Sequence, residues 1–254
     1  MARESGVVVK VMAGLLSSLV VVGAVYAYLR WVWFFRDPRR EAPSVQGGIL
    51  APVDGTVVYV RPVTGGAVWA EKLGCRVCLP EITKVPAGSD GSCLENGWII
   101  GIYMSPLDVH YVYSPVAGRV DEVVHYQAAR NLPMVDLWEY VRMAWLRRSV
   151  DLFAKRHHLE NERCTVRLSA GGRSLWLVEI ADRFVNKIRV FVEPGQTVAA
   201  GHKLSFICRG SQVDVIIPDP GARIAVKPGQ RVYGSLSLLA RWQEDGPACC
   251  SRPC

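Results

Sequence analysis

From Val11 to Leu29 the chain runs 19 residues without a charge, nearly all of them apolar. As a helix at roughly 1.5 Å per residue that run is about 28 Å long, close to the thickness of a bilayer core. Trp31, Trp33, Phe34 and Phe35 follow as an aromatic belt, then Arg36, Arg39 and Arg40. Past Asp37-Pro38, which breaks any helix, the period changes. Alternating apolar and polar positions predict strands at Thr56–Val60, Trp98–Met104, Arg119–Val124, Thr165–Leu168, Leu175–Ile180, Ile188–Val192, Leu204–Cys208 and Val213–Ile217. Two loosely repeated turn motifs punctuate them. Pro-x-x-Gly-x-Val occurs at Pro52–Val57 and Pro115–Val120, and Val-x-Pro-Gly-Gln-x-Val at Val192–Val198 and Val226–Val232. One stretch differs: Asp136–His158 has no Gly or Pro, and Trp138, Val141, Trp145 and Leu152 fall near one helical face, with Phe153 alongside. It predicts a basic helix, lying either at a membrane interface or on the sheet with a solvated face.

Short strands at this turn density read as a mainly β (α+β) fold. The expectation is an antiparallel β-rich core, sandwich- or barrel-like, with one N-terminal transmembrane helix and one basic surface helix. The Pro-Val-x-Gly and Pro-Gly-Gln turns also resemble those of lipoyl-like hybrid modules. With 254 residues, half of them hydrophobic and 21% charged, the chain can bury a core and is not a disordered one. Charge placement narrows the function further. Lys and Arg number 30 against 23 Asp and Glu, a net +7, of which residues 1–40 carry +4 and residues 138–158 carry +3. The remainder is neutral, which excludes the broad basic face of a nucleic-acid binder and points to an anionic membrane. Four arginines follow the apolar run (Arg30, Arg36, Arg39, Arg40) and only Arg3 and Lys10 precede it. The bias sets the C-terminal body in the cytoplasm, against the inner membrane. A cleaved signal peptide ending near Val25-Tyr26-Ala27 is the weaker alternative, because the arginines behind it resist export.

Eight cysteines bear on compartment and metal. Cys75 and Cys78 form a Cys-x-x-Cys with Cys93 after it, but no second pair completes a zinc site, and the tail Cys249-Cys250-Cys254 has no recognised ligand spacing. Surface thiols are the preferred reading. Three other places could carry chemistry. Asp54 sits in a tight Pro–Gly turn, where an aspartate ordinarily bonds local backbone. Asp108 and His110 stand two apart on what reads as a strand end, so that an acid could hold the imidazole in one tautomer; a structural histidine is the plainer reading. Arg209-Gly210-Ser211 interrupts what would otherwise be continuous strand, either as a hairpin turn or as a site of close backbone approach.

Taken in order and spacing, FFRDPRR (Phe34–Arg40), APVDG (Ala51–Gly55), SPLDVH (Ser105–His110) with SPVAG behind it, NER (Asn161–Arg163) and RGSQVD (Arg209–Asp214) resemble the phosphatidylserine decarboxylases, in the short form found in bacteria and archaea. The resemblance runs from about Trp33 to Ala240. It implies a self-processing enzyme cut between Gly210 and Ser211, giving a 210-residue β chain and a 44-residue α chain that stay associated. Ser211 Oγ attacks the Gly210 carbonyl, and the ester eliminates across Ser211. The resulting dehydroalanine hydrolyses with loss of ammonia to a pyruvoyl group, the only cofactor implied. The substrate's amine then condenses with that ketone, which takes up the electron pair left as CO2 departs from phosphatidylserine and phosphatidylethanolamine forms. The same resemblance assigns acid–base work to Asp54 and His110, so the implied catalytic set is Asp54, His110 and Ser211, with no metal.

The resemblance also divides the chain into an anchor (1–36), a decarboxylase domain (37–242) and a Cys-rich tail (243–254). Tyr113 stands where some members have a second histidine, and Gln212 follows the serine where Thr or Arg is commoner. The segments 71–97 and 136–158 look longer than in typical short forms. Two alternatives stand beside this reading: a membrane-anchored lipoyl- or biotinyl-like binding module, and an unprocessed relative without catalysis. The first lacks the Lys-centred carrier motif, and the intact Gly210-Ser211 argues against the second. Self-association into a homo-oligomer is left open.

Overall fold

A computed structural model describes residues 2–71, 73–85, 95–136, 138–139, 142, 150–183, 188–208 and 211–243. The chain divides into two compact units, residues 1–38 and 39–254. The first is a helix, α1 (Ala2–Tyr28), continued by a π-turn over Leu29–Trp33. Within it the 22 residues Met12–Trp33 are long and apolar enough to cross a membrane.

The second unit is built of short strands. In chain order they begin with β1 (Gly48–Leu50), β2 (Gly55–Thr64), β3 (Ala67–Ala70) and β4 (Cys75–Cys78), which leads into the one-turn helix α2 (Leu79–Thr83). Then come β5 (Asn96–Met104), β6 (Tyr111–Tyr113) and β7 (Gly118–Tyr126), the short helix α3 (Arg156–Glu160), β8 (Arg163–Ala170) and β9 (Arg173–Ala181). The last are β10 (Ile188–Val190), β11 (Thr197–Val198), β12 (Lys203–Ile207), β13 (Ser211–Ile217), β14 (Arg223–Ile224), β15 (Arg231–Val232) and β16 (Leu238–Arg241). All pairings among the described residues are antiparallel, and six of the eight alternating segments fall wholly within these strands, while Ile188–Val192 and Leu204–Cys208 run two residues past β10 and one past β12. The largest sheet runs β11-β7-β8-β9-β13-β5-β2-β3-β4, with β15 added to β2. Two three-stranded sheets, β1-β16-β14 and β10-β12-β6, complete the set.

Period-two alternation gives the large sheet two apolar faces. On one, Ile102 and Met104 of β5, Leu177 and Ala181 of β9, and Val213 and Val215 of β13 pack against Val112, Leu204 and Ile207 of the β10-β12-β6 sheet. On the other, Tyr59, Tyr103, Val178, Ile180 and Ile216 pack under Met134, Leu152 and Phe153 of the long β7–β8 connection. Each such wholly buried aliphatic or aromatic side chain is worth about 1.5–3 kcal/mol. The two Pro-Gly-Gln segments close tight turns: Gln196 N–H donates to Glu193 O and Gln230 N–H to Lys227 O, with Gly195 and Gly229 at φ 93° and 86°.

The basic stretch 136–158 departs from a continuous helix. Residues 151–155 are not helical, Ala154 has φ 55°, and helix resumes only at Arg156. The cause is burial: Leu152 and Phe153, consecutive in the chain, both enter the second core and are 0% and 1% exposed. They are therefore not part of a lipid-facing surface. Trp138 is exposed, and Val141 and Trp145 lie outside the described residues.

Candidate active site

Three neighbouring strands of the large sheet end at one place. Ser211, first residue of β13, is in register with Met104, last of β5, on one side and with Ala181, last of β9, on the other. Tyr103 of β5 is in register with Thr56 of β2, so Asp54, just before β2, lies about two strand spacings, roughly 10 Å, from Ser211 across the sheet. Ser211 is fully buried. Among the described residues its hydroxyl donates to Met104 Sδ at 3.1 Å rather than to Asp54 or His110. Arg209 and Gly210 lie outside the described residues.

Asp54 does more than cap its own turn. Its Oδ1 and Oδ2 accept from the two guanidinium nitrogens of Arg40, at 2.5 and 2.8 Å, and Oδ1 also accepts from the Gly234 N–H at 2.8 Å. Arg40 in turn donates to Gly234 O and lies over the Tyr113 ring, 5.4 Å from its centroid. A fork-to-fork pair buried on both sides is geometrically strict. Arg40, grouped by sequence with the membrane-flanking charges, is thus a member of the site that charge counting missed. The motif FFRDPRR was the available signal.

The expectation for Asp108 and His110 needs correction. They occupy a turn between β5 and β6, not a strand, so alternation does not govern them. The Asp108 carboxylate accepts from Ser105 N–H at 2.7 Å and pairs with Arg231, while His110 Nδ1 donates at 2.8 Å to the backbone oxygen of Asp108. The imidazole is held by the carbonyl of that residue instead of its acid. Burial works against the Arg231 charge, but the Asp108 carboxylate more than offsets it and raises its pKa, with Asp54 adding to the effect. Arg231 therefore draws Asp54 and Asp108 into one electrostatic cluster at the strand ends, with His110 tied to its edge.

A further acid faces the same layer. Glu179 of β9 is in register with Val213 of β13 and shares the face of Ser211, one pleat further along. It is fully buried; Oε2 accepts from Ser205 Oγ at 2.7 Å, and Oε1 has no hydrogen-bond partner among the described residues. Burial pushes its pKa up to about 8, only partly countered by Ser205, so the group is a neutral acid at pH 7. Sequence reading passed over it as the single charge in the strand LWLVEIA. An acid whose pKa rises from about 4.5 unfolded to about 8 folded gives stability that is fully present below pH 4.5 and lost as pH climbs through 8. In a Ser211→Ala background, Glu179→Gln should therefore raise the melting temperature more at pH 8 than at pH 5, against a loss of at most ~1.4 kcal/mol per pH unit in the parent. Parallel melting curves for the two chains would contradict a neutral buried acid.

Cys75 and Cys78 sit at opposite ends of β4, both exposed, and their odd separation turns them to opposite faces of the strand. Cys93 and the three tail cysteines lie outside the described residues.

Comparison with known proteins points to the same family. A Chlorobaculum parvum protein named phosphatidylserine decarboxylase proenzyme is 27% identical over 82% of this chain and 76% of its own length. One of the same name from Burkholderia ambifaria is 29% identical over 84% and 79%. A Methanocaldococcus jannaschii protein, provisionally named archaetidylserine decarboxylase proenzyme, is 29% identical over 82% and 88%. The family model described as phosphatidylserine decarboxylase matches residues 28–240, a span that holds Arg40, Asp54, His110 and Ser211. On that match the chain belongs to the phosphatidylserine decarboxylase family.

Proposed function

We propose that this chain removes the headgroup carboxylate of phosphatidylserine, releasing CO2 and phosphatidylethanolamine, after cutting itself between Gly210 and Ser211. The observation that carries the reading is the setting of Ser211: a fully buried hydroxyl at the first position of a central strand, with the Arg40–Asp54 pair about two strand spacings away along the same strand ends. In the cut, the Ser211 Oγ–carbonyl bond forms as the peptide C–N bond breaks, and the hydroxyl proton passes to the nitrogen. The surroundings suit the acyl cap that would result. The side chain of residue 211 faces apolar neighbours, with Met104 and Ala181 beside it in register and both wholly buried. A pyruvoyl group there would supply an electron sink for the pair left by CO2.

The chain's own groups do the rest. The Arg40 fork fixes the Asp54 carboxylate through two hydrogen bonds just before β2. With Nδ1 donating to the Asp108 carbonyl, His110 exchanges protons at Nε2, the role of a general acid toward the carbanion carbon. After the cut, β13 still lies between β5 and β9, so a 44-residue α chain would remain laddered to the 210-residue β chain. The apolar span Met12–Trp33 and the arginines behind it support an inner-membrane anchor with the body on the cytoplasmic side. Intact-mass measurement of the purified chain tests the reading. Fragments of 210 and 44 residues, the smaller lacking an amino terminus, are expected. A single chain with an ordinary amine would leave an unprocessed relative.

A further inference from the structure

On the face of β13 opposite Ser211 lies a buried polar network that the chemistry above does not use. Gln212 Nε2 donates to Tyr59 Oη at 2.7 Å and to Asp214 Oδ1 at 2.8 Å. The Tyr59 hydroxyl donates to Asp214 Oδ1 at 2.6 Å, and His158 Nε2 donates to Asp214 Oδ2 at 2.7 Å. The main-chain N–H of Ala154 approaches the other ring nitrogen, His158 Nδ1, at 3.4 Å. Gln212, Asp214 and His158 are all 0% exposed. Arg163 is itself buried, its pKa lowered to about 10 by that burial with the Asp214 charge countering in part, and it donates to the His158 carbonyl at 3.1 Å. Tyr59 reaches Asp214 because Gly101, the residue of β5 between them in register, has no side chain; a Cβ there would collide with the Tyr59 ring.

We propose that Gln212, Tyr59, Asp214 and His158 form a positioning device for the chain end created by cleavage, an inference that rests on the self-cleavage proposed above. Conversion of Ser211 to a keto acyl group expels its nitrogen as ammonia. Residue 211 then has no N–H to donate to the ladder and no covalent link to Gly210. Gln212 becomes the first residue with a complete backbone, and its side chain is the first tether inward from the reactive carbonyl. Anchoring that side chain directly to Tyr59 of β2 and to Asp214 of its own strand, and through Asp214 to His158 of α3, limits sideways movement of the carbonyl. Polar networks are costly to bury unless every member is satisfied. Here the cost falls beside the one backbone position that loses a hydrogen-bonding group.

The device acts after the cut, so its loss should slow turnover without preventing processing. Gln212→Met keeps the bulk of the side chain and removes both donated bonds; Tyr59→Phe removes only the shared hydroxyl. Each variant is expected to yield the 210- and 44-residue fragments. Each should lose roughly 10–100-fold in kcat, the scale expected when a reacting group is misplaced by about an ångström, with KM for phosphatidylserine within about twofold of the parent. The double variant should be no worse than the poorer single one, because both bonds act in series. Unchanged kcat with a lowered melting temperature would reduce the network to a fold-stabilising role and overturn the proposal. So would a parent that cleaves while both variants stay whole, since the network would then act before the cut. An uncut parent would instead remove the self-cleavage reading itself.

Discussion

Replacing Ser211 by alanine is expected to leave the 254-residue chain in one piece and without decarboxylase activity. The substitution deletes one oxygen atom from a fully buried position, where the hydroxyl makes a weak bond to Met104 Sδ, so the fold has little to lose. The chemistry loses everything. Without Oγ there is no acyl shift, and no ketone can form at residue 211. The expected fall in rate is to the uncatalysed background, a factor of roughly 10^6 or more. Denaturing electrophoresis and a lipid assay on the same preparation check both parts. Two fragments from the Ser211→Ala chain would mean that the cut lies elsewhere.

His110→Ala carries the second-largest expected effect. Its ring is wholly buried and fixed through Nδ1 by the Asp108 carbonyl, which aims one nitrogen instead of leaving a rotating base. Removing a positioned proton carrier costs about 10^2- to 10^4-fold. The assay is run on cleaved material, so that slow processing is not mistaken for slow decarboxylation. Normal turnover by cleaved His110→Ala would take the histidine out of the site.

How much of this could be read from the chain follows from the range of each interaction. Strand identity is local, and period-two alternation marked all eight long alternating segments, including β5, β9 and β13 that frame Ser211. Partnerships are not local. Arg40 and Asp54 are 14 residues apart, and Asp108 and Arg231 are 123 apart. Arg40 looked like a membrane-flanking charge because nothing nearby in sequence reveals the carboxylate it meets. The helical reading of 136–158 failed at 151–155 for the same reason: Leu152 and Phe153 obey the second core rather than helical periodicity. In the turn at 105–110, residue spacing was right about which two residues cooperate and wrong about which atom, since alternation says nothing inside a turn. Glu179 and the Gln212 network were hidden differently. Their residues alternate with apolar neighbours as strand residues do, and only the register of β9 and β2 against β5 and β13 shows where they point.

Everything above depends on a ketone at the start of the 44-residue fragment. Incubating the enzyme with phosphatidylserine and a hydride reductant, then weighing both fragments, tests that directly. The short fragment should gain the mass of one aminophospholipid less one oxygen atom, water being lost on condensation and two hydrogens added on reduction, while the 210-residue fragment is unchanged. Lipid on the long fragment, or on neither while decarboxylation proceeds, would contradict it.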